Sequence, residues 1–331
     1  MKVVFYIKDY LLKQEANNLS KFACLSKNAT RVKEDINGFQ LPFTIDIQRI
    51  INSKSFRRLK HKTQVFLNPR GDHYRTRLTH TLEVVETAKF IARYLRLNED
   101  LTAAIGYGHD IGHSPFSHAG EAALEEYFGS NYSHNKQSLR VADVVENMNL
   151  TNQVRDGILN HTGKIKPMTL EGQIVKIADR IAYLHHDIDD AIRGKIITYD
   201  DIPTHLRELF NSIEDVSIVL SLDIIESSLG KDEIKMSRDI ENAMLELRSY
   251  MFETIYERES SKREVKKAKD IVISLTEYYL KHPEKMPEKY LQLLESYSKE
   301  TAVIDFISGM TDVYAIAKFE EIFIPQRYDI L

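Results

Sequence analysis

Apolar side chains recur at three- and four-residue steps along most of this 331-residue chain, and that periodicity limits what the chain can fold into. Only 13 glycines and 8 prolines interrupt it. Such spacing puts apolar side chains on one face of successive helices, so it predicts an all-α protein. Over 80–97 the predicted buried face carries Leu82, Val85, Ala88, Ile91, Ala92 and Leu95. Further helices are predicted over 101–111, 137–148, 171–194, 204–229, 233–257, 262–281, 287–297 and 300–320.

Few breaks divide the sequence into parts. Pro283 and Pro287 bracket one break, and residues 68–72 have the composition of a loop. The sequence has no internal repeat and no low-complexity linker. We expect a helical core with a helical C-terminal extension packed on it, divided into an N-terminal segment 1–45, a core 46–200 and a C-terminal part 201–331.

Composition narrows the class of protein. The chain is 43% hydrophobic and 28% charged, as soluble globular proteins are, and it has no run of about 18 apolar residues that would span a membrane. A net charge of −4 gives no overall attraction to nucleic acid or anionic lipid, so a polyanion would need a local basic cluster. Cys24 is the single cysteine, which excludes an intrachain disulfide and fits a reducing, cytoplasmic setting. Residues 1–9 lack the pattern of a signal peptide.

The densest group of chemically active side chains lies within residues 109–121. Ionisable groups on apolar helix faces are costly to bury unless they are paired or bind a metal. Imidazoles and carboxylates without thiolates suit a divalent cation, for which Mn, Mg, Fe, Co, Ni and Zn are candidates, and argue against a structural zinc site. The pattern therefore predicts a divalent metal site whose ligands are His80, His109, Asp110 and Asp179.

Helical spacing suggests how this group converges. His109 and His113 are four residues apart, so we expect both on one face of the same helix. His118 and Glu121 are three apart and can touch. A glutamate that accepts from a ring N–H fixes the tautomer and raises the basicity of the imidazole, which suits proton transfer to a leaving oxygen. An ordinary surface pair is the alternative interpretation.

Other polar side chains flank the predicted ligands. Arg77 and Arg180 are suited to clamp a phosphate beside a metal, and Arg75 is a weaker candidate. Tyr183 and Asp187 follow Asp179 by one and two helical turns, and core packing is the alternative for the tyrosine.

Two charged segments, 185–190 and 262–269, each allow a structural and a functional interpretation. Within residues 185–190 we expect only Asp187 to face inward and the others to be solvated or to pair between helices, with a second metal site as the alternative. The basic run 262–269 is expected to be a solvated helix face, with a phosphate or oligomer contact as the alternative.

An ordered series of motifs runs along nearly the whole chain, in segments 46–53, 55–59, 62–66, 71–80, 109–121, 134–140, 154–161 and 305–315. This series resembles the HD-domain deoxynucleoside triphosphate triphosphohydrolases of the dGTPase-like family. Short HD motifs alone are unspecific, whereas an ordered series of this length is specific. Gly108 and Ser133 depart from residues that are common in the family, which puts local packing in doubt but not the chemistry.

The resemblance implies a role for each matching position. The metal ligands would be His80, His109, Asp110 and Asp179, and the catalytic pair would be His118 and Glu121. The deoxyribose would be held by Gln64, Tyr183 and Asp187, and the phosphates by Arg77, His113, His134 and Arg180.

The resemblance also implies the reaction. A dNTP, with dGTP as the candidate preferred substrate, would be hydrolysed to a deoxynucleoside and inorganic triphosphate with a divalent metal. A homo-oligomer and a dNTP effector are implied as partners, and no membrane. The alternatives are an HD-type 5′-nucleotidase or phosphohydrolase acting on other nucleotides, and a nucleotide-sensing or nucleic-acid-binding regulator. Net charge does not indicate a nucleic-acid partner, although a local groove would allow one.

Overall fold

The structure, a computed structural model, describes residues 2–34, 39–65, 74–129, 132–256 and 259–325. Over these ranges the chain forms helices and turns and no β-sheet, with Thr63 and Thr76 joined in an isolated antiparallel bridge. The all-α prediction is therefore confirmed. The predicted loop 68–72 and residues 71–73 of the 71–80 motif lie outside the described residues.

Sixteen α-helices account for most of the described residues. The first eight are α1 (Lys2–Asn18), α2 (Pro42–Ile51), α3 (Lys54–Arg58), α4 (Arg77–Tyr94), α5 (Glu99–Gly108), α6 (Ser117–Phe128), α7 (His134–Arg140) and α8 (Asn152–Asn160). The others are α9 (Leu170–Arg193), α10 (Thr204–Phe210), α11 (Ile213–Ser228), α12 (Arg238–Met251), α13 (Glu259–Lys281), α14 (Glu288–Leu291), α15 (Lys299–Ser308) and α16 (Asp312–Phe323).

Periodicity located most helices but missed several breaks. The segment predicted over 204–229 is two helices, because Asn211 adopts a positive φ of 56° that ends α10. The segment predicted over 300–320 is also two helices. There α15 ends at Ser308, and the Thr311 side chain then accepts from the N–H of Tyr314 to begin α16. Of the predicted buried face on α4, Leu82 is exposed and the other members are buried.

Helices α4, α5 and α9 pack together at the centre of the molecule, with α2 and α8 against α5 and with α11 against α4 and α9. Two glycines bring α5 and α8 close. A Cβ at Gly108 would lie 2.5 Å from Cδ1 of Ile158, and one at Gly157 would lie 2.5 Å from Cδ1 of Ile105. A larger residue at position 108, where the sequence departs from the residues common in the family, would therefore force the Ile158 side chain to move.

The C-terminal helices complete the same core. Helix α13 packs against α6, α15 and α16, and buried apolar side chains form one cluster that runs from Phe43 to Ala315. The boundaries expected at residues 45 and 200 stay predictions. Among the described residues, no helix combines the length and the apolar character needed to cross a membrane.

Candidate active site and metal centre

A cavity of about 680 Å³ opens between the central helices and the C-terminal helices α12 and α13. This volume is within the range typical of small-molecule sites. All the predicted site residues line it except His109 and Glu121, which contact lining residues. The lining members are Gln64, Arg77, His80, Asp110, His113, His118, His134, Asp179, Arg180, Tyr183 and Asp187.

The four predicted metal ligands converge from three helices. His80 lies on α4, His109 and Asp110 follow the end of α5, and Asp179 lies on α9. The Nε2 atom of His80 is 3.0 Å from Oδ1 of Asp179. The Nε2 atom of His109 is 3.4 Å from Oδ2 of Asp110 and 3.8 Å from Oδ1 of Asp179. The packing of α4, α5 and α9 therefore brings the four side chains to one point.

The second ring nitrogen of His109 tests whether this group fits a metal. Its Nδ1 lies 2.6 Å from the carbonyl oxygen of Gly106, which can only accept, so Nδ1 carries the proton. In the neutral ring Nε2 then presents a lone pair, and this buried atom has no hydrogen-bond partner among the described residues. An imidazole oriented by a backbone carbonyl, with its free nitrogen facing carboxylates, is the usual environment of a metal-bound histidine. The residues fit a divalent cation.

Asp110 is held ionised by its neighbours. Burial alone would raise its pKa, but His109 and Arg77 hold the pKa well below its usual range. Nη1 of Arg77 donates to Oδ2 of Asp110, and Nη2 donates to Oγ of Ser117 at 2.8 Å. Arg77 thus orients a predicted metal ligand as well as lining the cavity.

The prediction that His109 and His113 share one helix is wrong. Helix α5 ends at Gly108, and the chain turns before His113. The turn packs against α7, where a Cβ at Gly112 would lie 2.2 Å from the backbone nitrogen of Ser138. Only glycine fits there, and the close approach outweighs the apolar periodicity that continues through 111. The His113 ring still reaches the cavity and stacks on His134 with centroids 4.9 Å apart.

The loop that leads from His113 into α6 is held from both sides. Phe116 and Ser117 have positive φ values of 62° and 54°. The Asp312 carboxylate, at the start of α16, accepts from the backbone N–H of Phe116 at 2.8 Å and of Thr63 at 2.9 Å. It therefore joins this loop to the segment that carries Gln64.

Lys62 ties the same loop to α15. Its ammonium donates to the carbonyl oxygen of His113, and to that of Ser308 at 2.8 Å. Burial lowers the pKa of Lys62 to about 7. The motif 305–315 contains both C-terminal anchors of the loop, Ser308 and Asp312.

His118 and Glu121 approach each other as their spacing predicts. Nδ1 of His118 is 3.6 Å from Oε2 of Glu121, and the His118 side chain is 81% exposed. Glu121 has a closer partner that the spacing did not indicate, because its Oε1 accepts from the backbone N–H of His134 at 2.9 Å and from its ring Nδ1 at 2.8 Å. Burial alone would raise the pKa of Glu121, but the imidazoles of His118 and His134 hold it well below its usual range.

Comparison with known proteins places these motifs in a family. The HD domain model matches residues 77–184, and the model of the phosphohydrolase-associated domain matches 234–321. A deoxyguanosinetriphosphate triphosphohydrolase-like protein from Caldanaerobacter subterraneus subsp. tengcongensis is 48% identical over 94% of both chains. The chain belongs to this HD-domain family.

Further relatives carry the same name. One from Clostridium tetani is 44% identical over 89% of both chains, and one from Desulfatibacillum aliphaticivorans is 42% identical over 96% of this chain and 98% of its own. A hypothetical protein from Aquifex aeolicus shares the fold, with a TM-score of 0.51 at 20% identity over 89% of this chain and 75% of that one. The family resemblance drawn from the motifs is confirmed.

The HD domain also contributes a further histidine to the cavity, from a motif in which it had no assigned role. His161 follows the end of α8, is buried, and its Nε2 lies 3.1 Å from Nε2 of His134. Its place at the end of the 154–161 motif was a usable signal.

The C-terminal helices supply Arg248 from α12, which was not predicted, and Lys269 from α13, which belongs to the run for which a phosphate contact was the alternative interpretation. The other basic residues of the 262–269 run are exposed, as expected, whereas Lys269 is half-buried at the cavity.

The prediction that only Asp187 faces inward within 185–190 is wrong, since His186 and Asp190 are also buried. Helix α9 is covered by both α4 and α11, which leaves fewer of its faces in solvent than one amphipathic stripe implies. Arg75 is engaged by this segment, with Nη1 at 2.6 Å from Asp189 and 2.9 Å from Asp190. These ion pairs account for Arg75 without a phosphate.

Proposed function

We propose that this protein hydrolyses deoxynucleoside triphosphates to a deoxynucleoside and inorganic triphosphate. One observation carries the proposal: three of the four proposed metal ligands, His80, Asp110 and Asp179, line the same cavity of about 680 Å³ as the His118 imidazole, which has Glu121 beside it. The name of relatives that are 48% and 44% identical over most of the chain supports it, since those proteins are called deoxyguanosinetriphosphate triphosphohydrolase-like.

A divalent ion held by His80, His109, Asp110 and Asp179 would supply Lewis-acid polarisation of a phosphoryl oxygen and a more acidic water. The chain holds these ligands in place before any substrate arrives. The Gly106 carbonyl fixes the His109 tautomer, and the Arg77 guanidinium fixes the Asp110 carboxylate. Such preorganisation lowers the reorganisation cost of reaching the transition state.

His118 is the proposed general acid. Water adds its oxygen to the α-phosphorus, the bond from phosphorus to the 5′-oxygen breaks, and the 5′-oxygen takes a proton from the His118 ring. The Glu121 carboxylate lies 3.6 Å from Nδ1, where it can orient the ring for this transfer. The exposed position of His118 leaves it free to approach a leaving group in the cavity.

The remaining cavity residues are proposed to bind the substrate. Gln64 is buried, and its Oε1 has no hydrogen-bond partner among the described residues, so it can accept from a sugar hydroxyl. Tyr183 and Asp187 extend along α9 from Asp179 and complete the proposed deoxyribose site. The proposed phosphate site consists of Arg77, His113, His134 and Arg180.

Product analysis tests this reaction. We would incubate the Mn²⁺-loaded protein with each dNTP and NTP in H₂¹⁸O and separate the products by chromatography. We expect deoxynucleoside and triphosphate, with the ¹⁸O label in the triphosphate. Pyrophosphate with a dNMP, or phosphate released from a dNMP, would replace this proposal with the phosphohydrolase or 5′-nucleotidase alternative. Relative rates report the base preference, for which dGTP is the candidate.

The proposed partners follow from the family alone. We propose a homo-oligomer in the cytoplasm, with a dNTP as effector as well as substrate. Light scattering with and without dNTPs measures the assembly. Turnover of one dNTP alone and in mixtures measures the effector, because an effector site makes the mixed rates exceed the sum of the single ones.

A further inference from the structure

Lys176 holds a turn of backbone next to the cavity. Its Nζ atom lies 3.2 Å from the carbonyl oxygen of Asn160, 3.4 Å from that of Thr162, and 2.8 Å from those of Gly163 and Ile165. All four acceptors are uncharged backbone carbonyls. An ammonium carries three N–H donors, so at least one N–H is shared between two oxygens. The contact therefore resembles the coordination of a monovalent cation more than an ordinary hydrogen bond.

The end of α8 makes this a favourable place for a positive charge. Asn160 is the last residue of that helix, so its carbonyl belongs to the group that has no partner within the helix. These carbonyls form the negative end of the helix dipole, which a cation stabilises. Backbone carbonyls gathered around one point are also the groups with which proteins replace the hydration shell of K⁺. The four oxygens therefore form a site of the kind that a free K⁺ or NH₄⁺ could fill.

The 160–165 loop carries residues of the cavity wall. His161 and Thr162 both line the cavity. Nε2 of His161 lies 3.1 Å from Nε2 of His134, whose Nδ1 is 2.8 Å from Oε1 of Glu121. A shift of the loop would therefore disturb His134, which belongs to the proposed phosphate site.

Packing does little to fix this loop. Residues 163–166 are exposed, and Gly163 has a positive φ of 76°. The far end of the loop is held by Gln173, whose Nε2 donates to the carbonyl oxygen of Pro167 at 3.1 Å. Lys176 is thus the anchor at the end of the loop that reaches the cavity.

We propose that Lys176 is a positioning residue whose ammonium fills a monovalent-cation site formed by the carbonyls of the 160–165 loop. It thereby fixes His161 and Thr162 at the cavity wall. Lys176 lies three residues before Asp179 on α9, so one rigid helix carries both the anchor and a proposed metal ligand. The effect of Lys176 on substrate binding rests on the proposed function, whereas its effect on the loop does not.

Removing the ammonium tests the positioning role. Lys176→Met keeps the apolar stem and loses the charge. We expect KM for a dNTP to rise about tenfold and kcat to fall roughly threefold or less, because the displaced wall is proposed to bind substrate phosphates. Lys89→Met is the matched control, since Lys89 is also partly buried but pairs with the Glu86 carboxylate at 3.3 Å. It should change neither constant.

Chemical rescue distinguishes a cation site from a structural lysine. Lys176→Ala leaves room for a free ion, so NH₄Cl or KCl should lower its KM towards that of the unsubstituted protein. LiCl or choline chloride at the same ionic strength should not. The unsubstituted protein should respond to none of these salts, because the tethered ammonium already occupies the site. A lysine that only stabilised the fold would show no ion-selective recovery of KM.

Hydrogen exchange follows the loop without any substrate. We expect the backbone amides of 161–166 to exchange faster in Lys176→Ala than in the unsubstituted protein, and NH₄Cl to slow them again. If the unsubstituted protein turns over no dNTP, the proposed function fails and hydrogen exchange alone decides the proposal for Lys176.

Several results would overturn the proposal. They are an unchanged KM with unchanged exchange in Lys176→Met, a fall in kcat alone with normal exchange, and equal recovery of Lys176→Ala by choline chloride. If the variants do not fold, competitive acetylation of the unsubstituted protein decides. Lys176 should then react much more slowly than Lys89, and equal reactivity would refute an ammonium held by four carbonyls.

Discussion

The inner and outer ends of the cavity are built differently. At the inner end, His80, His109 and Asp110 are almost fully buried, and each is oriented by a hydrogen bond or an ion pair. At the outer end, His118 and Arg180 are exposed. Buried and fully partnered groups keep one geometry, whereas exposed side chains can adapt to what binds. The inner end therefore suits chemistry that every substrate shares, and the outer end suits recognition.

Removing Asp110 should have the largest effect on activity, because the substitution removes a proposed metal ligand from the inner end of the cavity. We expect Asp110→Ala to lose bound Mn²⁺ and to lower kcat by roughly 10³-fold or more, since a metal contributes several kcal/mol to transition-state stabilisation. Metal analysis and dNTP turnover measure both effects. Asp143→Ala, which removes a partly exposed carboxylate paired with Arg155 at 2.8 Å, is the control and should change neither. Full metal content in Asp110→Ala would contradict the assignment.

His118 tests whether the outer end also takes part in the chemistry. Loss of a general acid typically costs about 10²–10⁴-fold in rate, so we expect His118→Ala to lower kcat by roughly 10²-fold while KM and bound Mn²⁺ stay nearly unchanged. Steady-state kinetics and metal analysis separate these quantities. His205→Ala removes another exposed histidine, paired with Glu246 at 2.9 Å, and should retain activity. Full activity in His118→Ala would exclude it as the acid.

Asp312 does not line the cavity, but its carboxylate holds the loop that runs from His113 to His118. We expect Asp312→Ala to lower kcat by about tenfold and the free energy of unfolding by about 1–3 kcal/mol, as two backbone N–H groups lose their acceptor. Asp312→Asn keeps one acceptor oxygen and should recover part of both losses. Kinetics and chemical denaturation measure them. A stability loss without a change in kcat would mean that Asp312 does not position the loop.

Tyr183 should show the smallest effect on rate, because it belongs to the recognition end. We expect Tyr183→Ala to lower dNTP turnover severalfold and to reduce the preference for dNTP over NTP by roughly tenfold, since one lost pocket contact is worth about 1–3 kcal/mol. Competing reactions on dGTP and GTP give the ratio of kcat/KM values. Tyr183→Phe keeps the ring and should keep the preference. An unchanged ratio in Tyr183→Ala would assign the selection to another residue.

The contrast between the inner and outer ends of the cavity also explains which site residues could be predicted from the sequence. The convergence of the four proposed metal ligands could be predicted because few residue types bind a divalent ion and because these residues fall in a specific ordered pattern. Arg248 was missed and Lys269 was expected to be solvated, because both reach the cavity through the packing of α12 and α13, which no local spacing indicates.

Tertiary packing also decided two local features. The end of α5 was misplaced because the close approach of Gly112 to Ser138, not periodicity, ends that helix. The contact between Glu121 and His134 spans 13 residues and depends on how α6 meets α7. In both cases the deciding neighbour is distant in sequence.

The anchoring of the 113–117 loop by Ser308 and Asp312 has a consequence for chimaeric proteins. The proposed metal ligands and the residues that anchor the loop before the proposed acid belong to separately recognised segments, 77–184 and 234–321. A chimaera that joins these segments from two distant relatives would keep every proposed ligand and could still misplace His118. Activity would therefore depend on the match between the two segments as well as on the ligands themselves.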